Sequence, residues 1–255
     1  MTKSTPTLAV ALIVKNEAKH LQACLETVAD WVDEIVILDS GSSDETEAIA
    51  RRFTDKFFVN TDWQGFGPQR RLAQSYVESD YVLWLDADER VTPELKASII
   101  EHLSCTNPRE IFKLVRLNNF LGRPIRYCGW YPEYVTRMYR VNITSYNAAL
   151  VHEKVIEPQK IKVLPLTGNL IHYPYENIKH YLKKSSQYGE EWSKEKLLKG
   201  KKTTILSALI HSISAFIKMY IIKRGFKDGK EGLILSLLSS HSVLIKYLYL
   251  FENQK

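Results

Sequence analysis

The sequence predicts an α/β protein with a mostly parallel sheet and a C-terminal helical extension. Continuous apolar runs of strand length lie at residues 8–14, 34–39 and 81–85, and they alternate with segments of helical periodicity. Strands and helices that alternate at this spacing form right-handed βαβ units, which build parallel sheets. After residue 173 the composition changes to lysine-rich and apolar helical stretches, so a domain boundary is expected there.

Each element is marked by its own pattern. The strand at 8–14 ends at Lys15-Asn16-Glu17 and is followed by a helix to residue 31, and the strand at 34–39 is followed by a turn and a helix to residue 53. Later elements are expected as a strand at 57–59, helices at 69–77 and 93–103, and strands at 81–85, 111–117, 151–155, 161–166 and 169–172. Residues 123–139 are rich in aromatic residues, glycine and proline, which is more typical of a site wall than of a helix.

Charge is distributed unevenly along the chain. The 255 residues include 35 Lys and Arg and 29 Asp and Glu, so the formal net charge is +6. Residues 151–255 carry 18 basic and 9 acidic side chains, whereas residues 1–150 carry 17 and 20. The acidic first part argues against a nucleic-acid partner. The basic last part fits either an anionic partner, such as a phospholipid surface or a phosphorylated glycan, or a solvated helix face.

The cysteines and the N-terminus predict a cytoplasmic protein. Cys24, Cys105 and Cys128 are odd in number and lack metal-binding spacing, which fits a reducing compartment better than a disulfide framework. Residues 1–7 are polar, and the apolar run that follows is too brief for a signal peptide.

Carboxylates follow two of the predicted strands at the same edge of the sheet. Asp39 ends one strand, and Asp86 and Asp88 follow another. Ligands of open parallel sheets bind outside these carboxyl ends. Crowded carboxylates favour a hard cation such as Mg²⁺ or Mn²⁺, which usually keeps substrate phosphate oxygens in its shell. The alternative is that the acidic residues only stabilise turns and cap the helix after Thr92-Pro93.

The order and spacing of several motifs resemble glycosyltransferase family 2, which has the GT-A fold. These motifs are Lys15-Asn16-Glu17, the run from Asp39 through Ser40-Gly41-Ser42-Ser43 to Asp44 and Thr46, and Leu85-Asp86-Ala87-Asp88-Glu89. The later segments Gly129-Trp130-Tyr131-Pro132-Glu133, Arg137-Met138-Tyr139-Arg140 and Val151-His152-Glu153 resemble the bacterial branch that builds the lipopolysaccharide inner core. The resemblance extends over nearly the whole chain.

The resemblance implies a GT-A, Rossmann-like nucleotide-sugar-binding domain over residues 1–173, with a donor half to about residue 92 and an acceptor half from 93. Residues 174–255 are then a helical extension. The implied activity is inverting transfer of glucose from UDP-glucose to a core heptose, assisted by Mg²⁺ or Mn²⁺. The implied donor-binding residues are Asn16, Glu17, Asp39, Gln69, Arg70, Arg71, Asp86 and Asp88. Arg70 and Arg71 could equally be surface charges.

An inverting transferase needs a general base that takes the proton of the acceptor hydroxyl. Glu133 is the candidate base, and Glu153 is the alternative. Trp130 and Tyr131 would stack on the acceptor sugar. Either glutamate could instead be an ordinary surface or ion-paired carboxylate.

Histidines and arginines complete the expected site. His152 is expected to join Asp88 as a metal ligand, with a buried structural histidine as the alternative. His172 is expected to be structural. Arg137 would contact a phosphorylated acceptor or pair with the acidic cluster.

Two apolar segments in the helical extension, at 203–222 and 233–251, flank a turn at 225–229. They predict a hairpin lying on the inner leaflet, which would make the protein peripheral on the inner face of the bacterial inner membrane. An amphipathic pair packed on the catalytic domain and a transmembrane hairpin are the alternatives.

Other functions remain open or are disfavoured by the same motifs. A nucleotidyltransferase should carry a glycine-rich phosphate loop after its first strand, where this chain has Lys15-Asn16-Glu17. A polyprenyl-phosphate or capsule glycan acceptor fits the same donor motifs. A non-catalytic nucleotide-sugar-binding protein is also possible, although the retained carboxylates argue against it.

Overall fold

The computed structural model describes residues 5–104, 109–149 and 153–254. The chain divides into two compact units. The first unit comprises residues 1–116 and 134–172, and the second comprises residues 117–133 and 173–255.

Four strands form the parallel part of the sheet in the first unit. They are β1 (Leu8–Val14), β2 (Glu34–Asp39), β3 (Phe57–Val59) and β4 (Tyr81–Trp84). β1 pairs in parallel with β2 and β4, and β2 pairs in parallel with β3. β1, β2 and β4 are almost entirely buried, which explains why they are continuous apolar runs in the sequence. The predicted α/β class is confirmed.

Helices connect and cover these strands. They are α1 (Ala18–Leu25), α2 (Thr46–Ala50), α3 (Phe66–Gln74) and α4 (Pro93–Ser104). α1 buries Leu21, Cys24 and Leu25 along one stripe, as its sequence periodicity predicts. α3 begins three residues earlier than predicted and buries Gln69 and Arg70.

Antiparallel strands extend the sheet on the other side of β4. They are β5 (Glu89–Val91), β6 (Glu110–Phe120), β8 (Glu133–Arg140) and β9 (Lys162–His172). β8 pairs with β4, and β5 pairs with β9, both in antiparallel orientation. The strand order is β3-β2-β1-β4-β8-β6-β9-β5. The boundary between the units falls within β6 and after the first residue of β8.

β9 is continuous where the sequence predicts two strands. Gly168 has a φ of +88°, and a Cβ at this position would lie 2.3 Å from the backbone N of Leu95, so only glycine fits against α4. The strand predicted at 151–155 is represented, among the described residues, by an isolated bridge between Tyr146 and Val155.

The second unit contains three long helices. They are α5 (Ile178–Leu198), α6 (Ile205–Phe216) and α7 (Gly229–Asn253). A π-helical segment, Ile217–Ile222, continues α6, and a 3₁₀ turn at Gly225–Asp228 leads into α7. α7 packs against both α5 and α6. The segments Ile205–Ile222 and Gly225–Asn253 are long and apolar enough to cross a membrane, by length and composition alone.

Residues 117–133 pack with these helices, although the sequence assigns them to the catalytic domain. They include the short strand β7 (Arg123–Pro124), which pairs with the end of β6. An apolar cluster joins the segment to α5 and α7 through Phe120, Ile125, Cys128, Tyr181 and Leu235.

A buried carboxylate anchors the loop at residues 125–132. Asp228 is 2% exposed, and its two oxygens accept hydrogen bonds from the backbone N–H groups of Arg126 (3.1 Å) and Tyr127 (2.8 Å). The loop is therefore attached to the turn between α6 and α7 by bonds that its own backbone makes.

Candidate active site

A cavity of about 420 Å³ opens at the carboxyl ends of β1 and β2. It is lined by Ile13, Val14, Lys15, Glu17, Ser40, Trp63 and Phe66. The rings of Trp63 and Phe66 meet edge to face with centroids 4.9 Å apart, and both side chains are more than 40% exposed. Exposed aromatic rings beside a strand-end cavity suit the stacking of a flat ligand. The sequence analysis did not select either ring, because neither is part of a motif.

Asn16 and Asp39 shape the two turns beside this cavity. The carboxylate of Asp39 accepts hydrogen bonds from the backbone N–H groups of Gly41 (3.0 Å) and Ser42 (2.8 Å) and from the Ser42 hydroxyl. Asn16 has a φ of +56°, and its side-chain oxygen accepts from the backbone N–H of Ser43 at 2.8 Å. These bonds connect the turns that follow β1 and β2, so both turns have a defined shape.

Gln69 supports the cavity from α3. It is buried, its amide nitrogen donates to the hydroxyl of Ser40 at 2.9 Å, and its oxygen accepts from Asn60 at 2.9 Å. Arg71, two residues further along, is exposed, whereas Arg70 is buried. The structure therefore separates the two arginines that the sequence could not distinguish.

Asp86 lies at the centre of a buried ion cluster. Its carboxylate pairs with Arg70 (Nη2 to Oδ1, 2.6 Å) and with Arg137, and Arg116 lies 3.7 Å away. Burial opposes ionisation of Asp86, but the guanidinium groups of Arg137, Arg70 and Arg116 outweigh it and hold the pKa of this carboxyl well below its usual range. Asp86 is thus an anion already neutralised by the protein.

Two more carboxylates balance the three arginines. Glu89 is fully buried and pairs with Arg116 at 2.8 Å, and Glu153 pairs with Arg70 at 3.1 Å. Of the two interpretations of Arg137, the structure shows the pair with the acidic cluster. No motif in the sequence marks Arg116 or Glu89 as a site residue. The cluster combines side chains of α3, β5, β6 and β8 with Asp86, which follows β4, so it exists only once the sheet has formed.

Asp88 lies outside that cluster and has a different neighbour. Its Oδ2 is 3.4 Å from Nε2 of His172, because β9 places His172 opposite Glu89 in the register of β5 and β9. A carboxylate oxygen and an imidazole nitrogen can both bind Mg²⁺ or Mn²⁺. Among the described residues no three His, Cys, Asp or Glu side chains form a metal-binding group. His152, the predicted ligand, lies outside the described residues.

Trp130, Tyr131 and the candidate base Glu133 lie in the second unit, whereas the predicted acceptor residue Arg137 lies in the first. Oε2 of Glu133 accepts a hydrogen bond from the side-chain amide of Asn118 at 2.9 Å. Trp130 meets Phe120 edge to face at a centroid distance of 6.2 Å, and the guanidinium of Arg126 lies over the ring of Tyr131. Glu133 and its aromatic neighbours are therefore held in place by contacts within this unit.

Comparison with known proteins gives a family match for the first part of the chain. Residues 9–122 match the family model described as Glycosyl transferase family 2. A relative from Rickettsia felis, described as an uncharacterized glycosyltransferase, is 26% identical over 95% of this chain and 88% of its own length. The lipopolysaccharide core biosynthesis glycosyltransferase LpsC of Rhizobium meliloti is 24% identical over 89% of this chain and 85% of its own length.

Solved structures give a partial match. Glucosyl-3-phosphoglycerate synthase from Mycobacterium tuberculosis with Mn²⁺ and UDP-glucose is 21% identical, with a TM-score of 0.38 over 45% of this chain and 44% of that chain. Its complex with Mg²⁺ and UDP is 18% identical, with a TM-score of 0.40 over 54% and 57%. This chain thus spans about half the length of that protein. The strand order and the match of residues 9–122 to this family model agree with the predicted GT-A fold.

Proposed function

We propose that this protein is an inverting glycosyltransferase that moves glucose from UDP-glucose to a heptose of the lipopolysaccharide inner core. The observation that carries the proposal is the cavity at the carboxyl ends of β1 and β2. It lies in the same unit as Asp86 and Asp88, within the residues that match the family 2 model. The relative LpsC, described as a lipopolysaccharide core transferase, supports the choice of acceptor.

The donor nucleoside would occupy the strand-end cavity. Trp63 and Phe66 offer ring faces for stacking on the base, and Glu17 and Lys15 line the same space. Asp39 bonds to its own turn, but a carboxylate has more lone pairs than the three bonds use, so it can also accept from the uracil.

The diphosphate would lie beside Asp88. Asp88 and His172 would supply one oxygen and one nitrogen ligand for a divalent ion, with His152 as a further predicted ligand. When bound, such an ion offsets the charge that develops on the leaving diphosphate. Asp86 holds Arg70 and Arg137 by ion pairs, so their positive charge stays fixed close to the same strand end.

Transfer would proceed as one in-line displacement. The acceptor oxygen forms a bond to the anomeric carbon while the bond from that carbon to the diphosphate oxygen breaks, and the hydroxyl proton passes to Glu133. Glu133 is preferred over Glu153 as the base, because Glu153 is paired with the buried guanidinium of Arg70. Trp130 and Tyr131 would position the acceptor sugar.

The acceptor is a glycolipid, so the enzyme would act in the cytoplasm at the inner face of the inner membrane. The two long apolar helical segments are compatible with this location. A polyprenyl-phosphate or capsule glycan acceptor would use the same donor site, and acceptor assays distinguish these substrates.

The proposal is tested by a screen of labelled nucleotide sugars on core-truncated lipopolysaccharide, with Mg²⁺, Mn²⁺ or a chelator. We expect transfer from UDP-glucose that the chelator stops. Asp88→Asn should abolish transfer and weaken donor binding, while Asp30→Asn, an exposed carboxylate paired with Lys96, should behave like the native protein. Full activity of Asp88→Asn, or donor binding without transfer to any glycan, would contradict the proposal.

A further inference from the structure

The outer surface of α6 is a stripe of large aliphatic side chains. Its six members are between 45% and 67% exposed: Ile205, Leu206, Leu209, Ile210, Ile213 and Ile217. They recur at intervals of three and four residues, which places them on one side of the helix. Contiguous apolar surface of this extent marks an interaction site.

The inner surface of α6 has the opposite character. The residues that it buries against α7 are small, namely Ala208 and Ser212. Ser212 and Ser240 of α7 exchange hydrogen bonds, each hydroxyl donating to the other residue's carbonyl at 2.8–2.9 Å. In water the hydrophobic effect places large side chains inside. Small residues and hydroxyl pairs between helices, with large aliphatic residues outside, are typical of helices surrounded by lipid.

Basic residues lie at both ends of the stripe. Lys199, Lys201 and Lys202 precede α6, and Lys223 and Arg224 follow its π-helical segment, and all five are exposed. An anionic phospholipid surface attracts such residues, while the aliphatic side chains enter the acyl boundary. The distribution of charge therefore favours a bilayer as the occupant.

The neighbouring helices exclude a spanning orientation. α5 runs beside α7 along its length, as the contacts of Tyr181 with Ser239 (3.1 Å) and of Ser193 with Asn253 (3.2 Å) show. α5 carries many charged residues, including the exposed pairs Lys194–Glu190 and Lys199–Glu195. If α6 and α7 crossed the bilayer, these charges would enter the hydrocarbon, which is costly.

We propose that the outward stripe of α6 lies in the plane of an anionic leaflet, with its aliphatic side chains at the acyl boundary and with α5 in water on the opposite side of α7. The inference deepens the membrane location in the proposed function and rests on it, but it is independent of the sugar chemistry.

Sedimentation with preformed vesicles tests the docking. The full-length protein should bind vesicles of phosphatidylglycerol and phosphatidylethanolamine, and bind phosphatidylcholine vesicles much less. The double substitution Ile210→Glu/Ile213→Glu should lower the partition coefficient at least about tenfold. Tyr188→Glu, an equally drastic change at an exposed site on α5, should leave it unchanged. Cooperative thermal unfolding of all three proteins, followed by circular dichroism, shows that they are folded, so loss of docking is distinguished from loss of fold and does not depend on donor binding.

Depth measurements test the orientation. Cysteines at 206, 210, 213 and 217 would carry an environment-sensitive fluorophore in a Cys105→Ser background, since Cys24 and Cys128 are buried. Lipid-attached quenchers should report the same shallow depth at all four sites. A depth maximum in the middle of the series would overturn the in-plane arrangement. Absence of vesicle binding, with dimerisation that Ile210→Glu/Ile213→Glu abolishes, would assign the stripe to a second copy of the chain.

Discussion

α1 in the first unit and α6 in the second are both amphipathic helices. α1 buries its large apolar side chains, whereas α6 buries small side chains and exposes its large apolar ones. α1 buries Leu21, Cys24 and Leu25 and exposes Lys19 and Gln22, as expected of a helix in water. α6 buries an alanine and a serine and exposes its isoleucines and leucines. This difference in which side chains face outward is what the proposed docking of the second unit on a leaflet requires.

The polar groups inside the two units differ in the same way. The first unit places full charges in and beside its core, which suits a site for a charged donor. Glu89, Arg70 and Arg137 are buried, and they pair with the partly exposed Asp86 and Arg116. The second unit joins its helices through neutral hydroxyl groups. Donor chemistry and acceptor chemistry should therefore be separable by substitutions in one unit or the other.

The largest expected effect comes from Glu133→Gln in the second unit. Loss of the base should lower kcat by roughly 10²–10⁴, because only the carboxylate can take the proton. UDP-glucose affinity should not change, since the donor residues belong to the first unit. Steady-state kinetics and donor titration measure both quantities, with Glu190→Gln on α5 as the control. Full activity would transfer the base role to another group, and a parallel loss of donor affinity would break the division between the units.

The next effect concerns stability. Arg137→Ala removes one partner from the buried cluster and leaves Asp86 and Glu89 short of positive charge, which should cost about 3–5 kcal/mol of unfolding free energy. Arg51→Ala removes an exposed pair with Glu47 and should cost less than about 1 kcal/mol. Denaturant titration compares the two. Equal losses would mean that the cluster is no more important to the fold than a surface pair.

The smallest expected effect is the loss of stability caused by Ile213→Ala in α6, which is compared with a substitution in the core face of α1. Leu21→Ala in α1 should cost about 2–5 kcal/mol, because it leaves a cavity in the core. Ile213→Ala in α6 should change the unfolding free energy in lipid-free buffer by less than about 0.5 kcal/mol, because Ile213 is 59% exposed. A large cost at Ile213 would show that the stripe packs against protein.

The sequence is sufficient to predict the features that depend on neighbouring residues. The apolar runs of β1, β2 and β4 and the carboxylates that follow them are local patterns, and they lead to the correct class of fold and to Asp39, Asp86 and Asp88 as residues to consider. The contact of Asp88 with His172 depends on the register of β5 and β9, which come from distant parts of the chain. No local pattern records that register, so the sequence alone gives no reason to place His172 beside Asp88.

The second unit shows the same limit. Its apolar composition predicts long helices and an apolar surface, but the direction of that surface depends on which side of α6 meets α7. The grouping of residues 117–133 with the helices depends on Asp228, about a hundred residues later in the chain, and on backbone N–H groups that no residue type reveals.

The anchoring of the loop at 125–132 by Asp228 has a consequence for substrate choice. The carboxylate links the backbone of Arg126 and Tyr127 to the turn between α6 and α7, so the loop is attached to the end of the helix that we propose lies on the leaflet. With that helix seated in a leaflet, the loop would stand at a constant height above the phospholipid headgroups. Under the proposed function, the protein would then select among the sugars of an acceptor by their distance from the lipid anchor as well as by their stereochemistry.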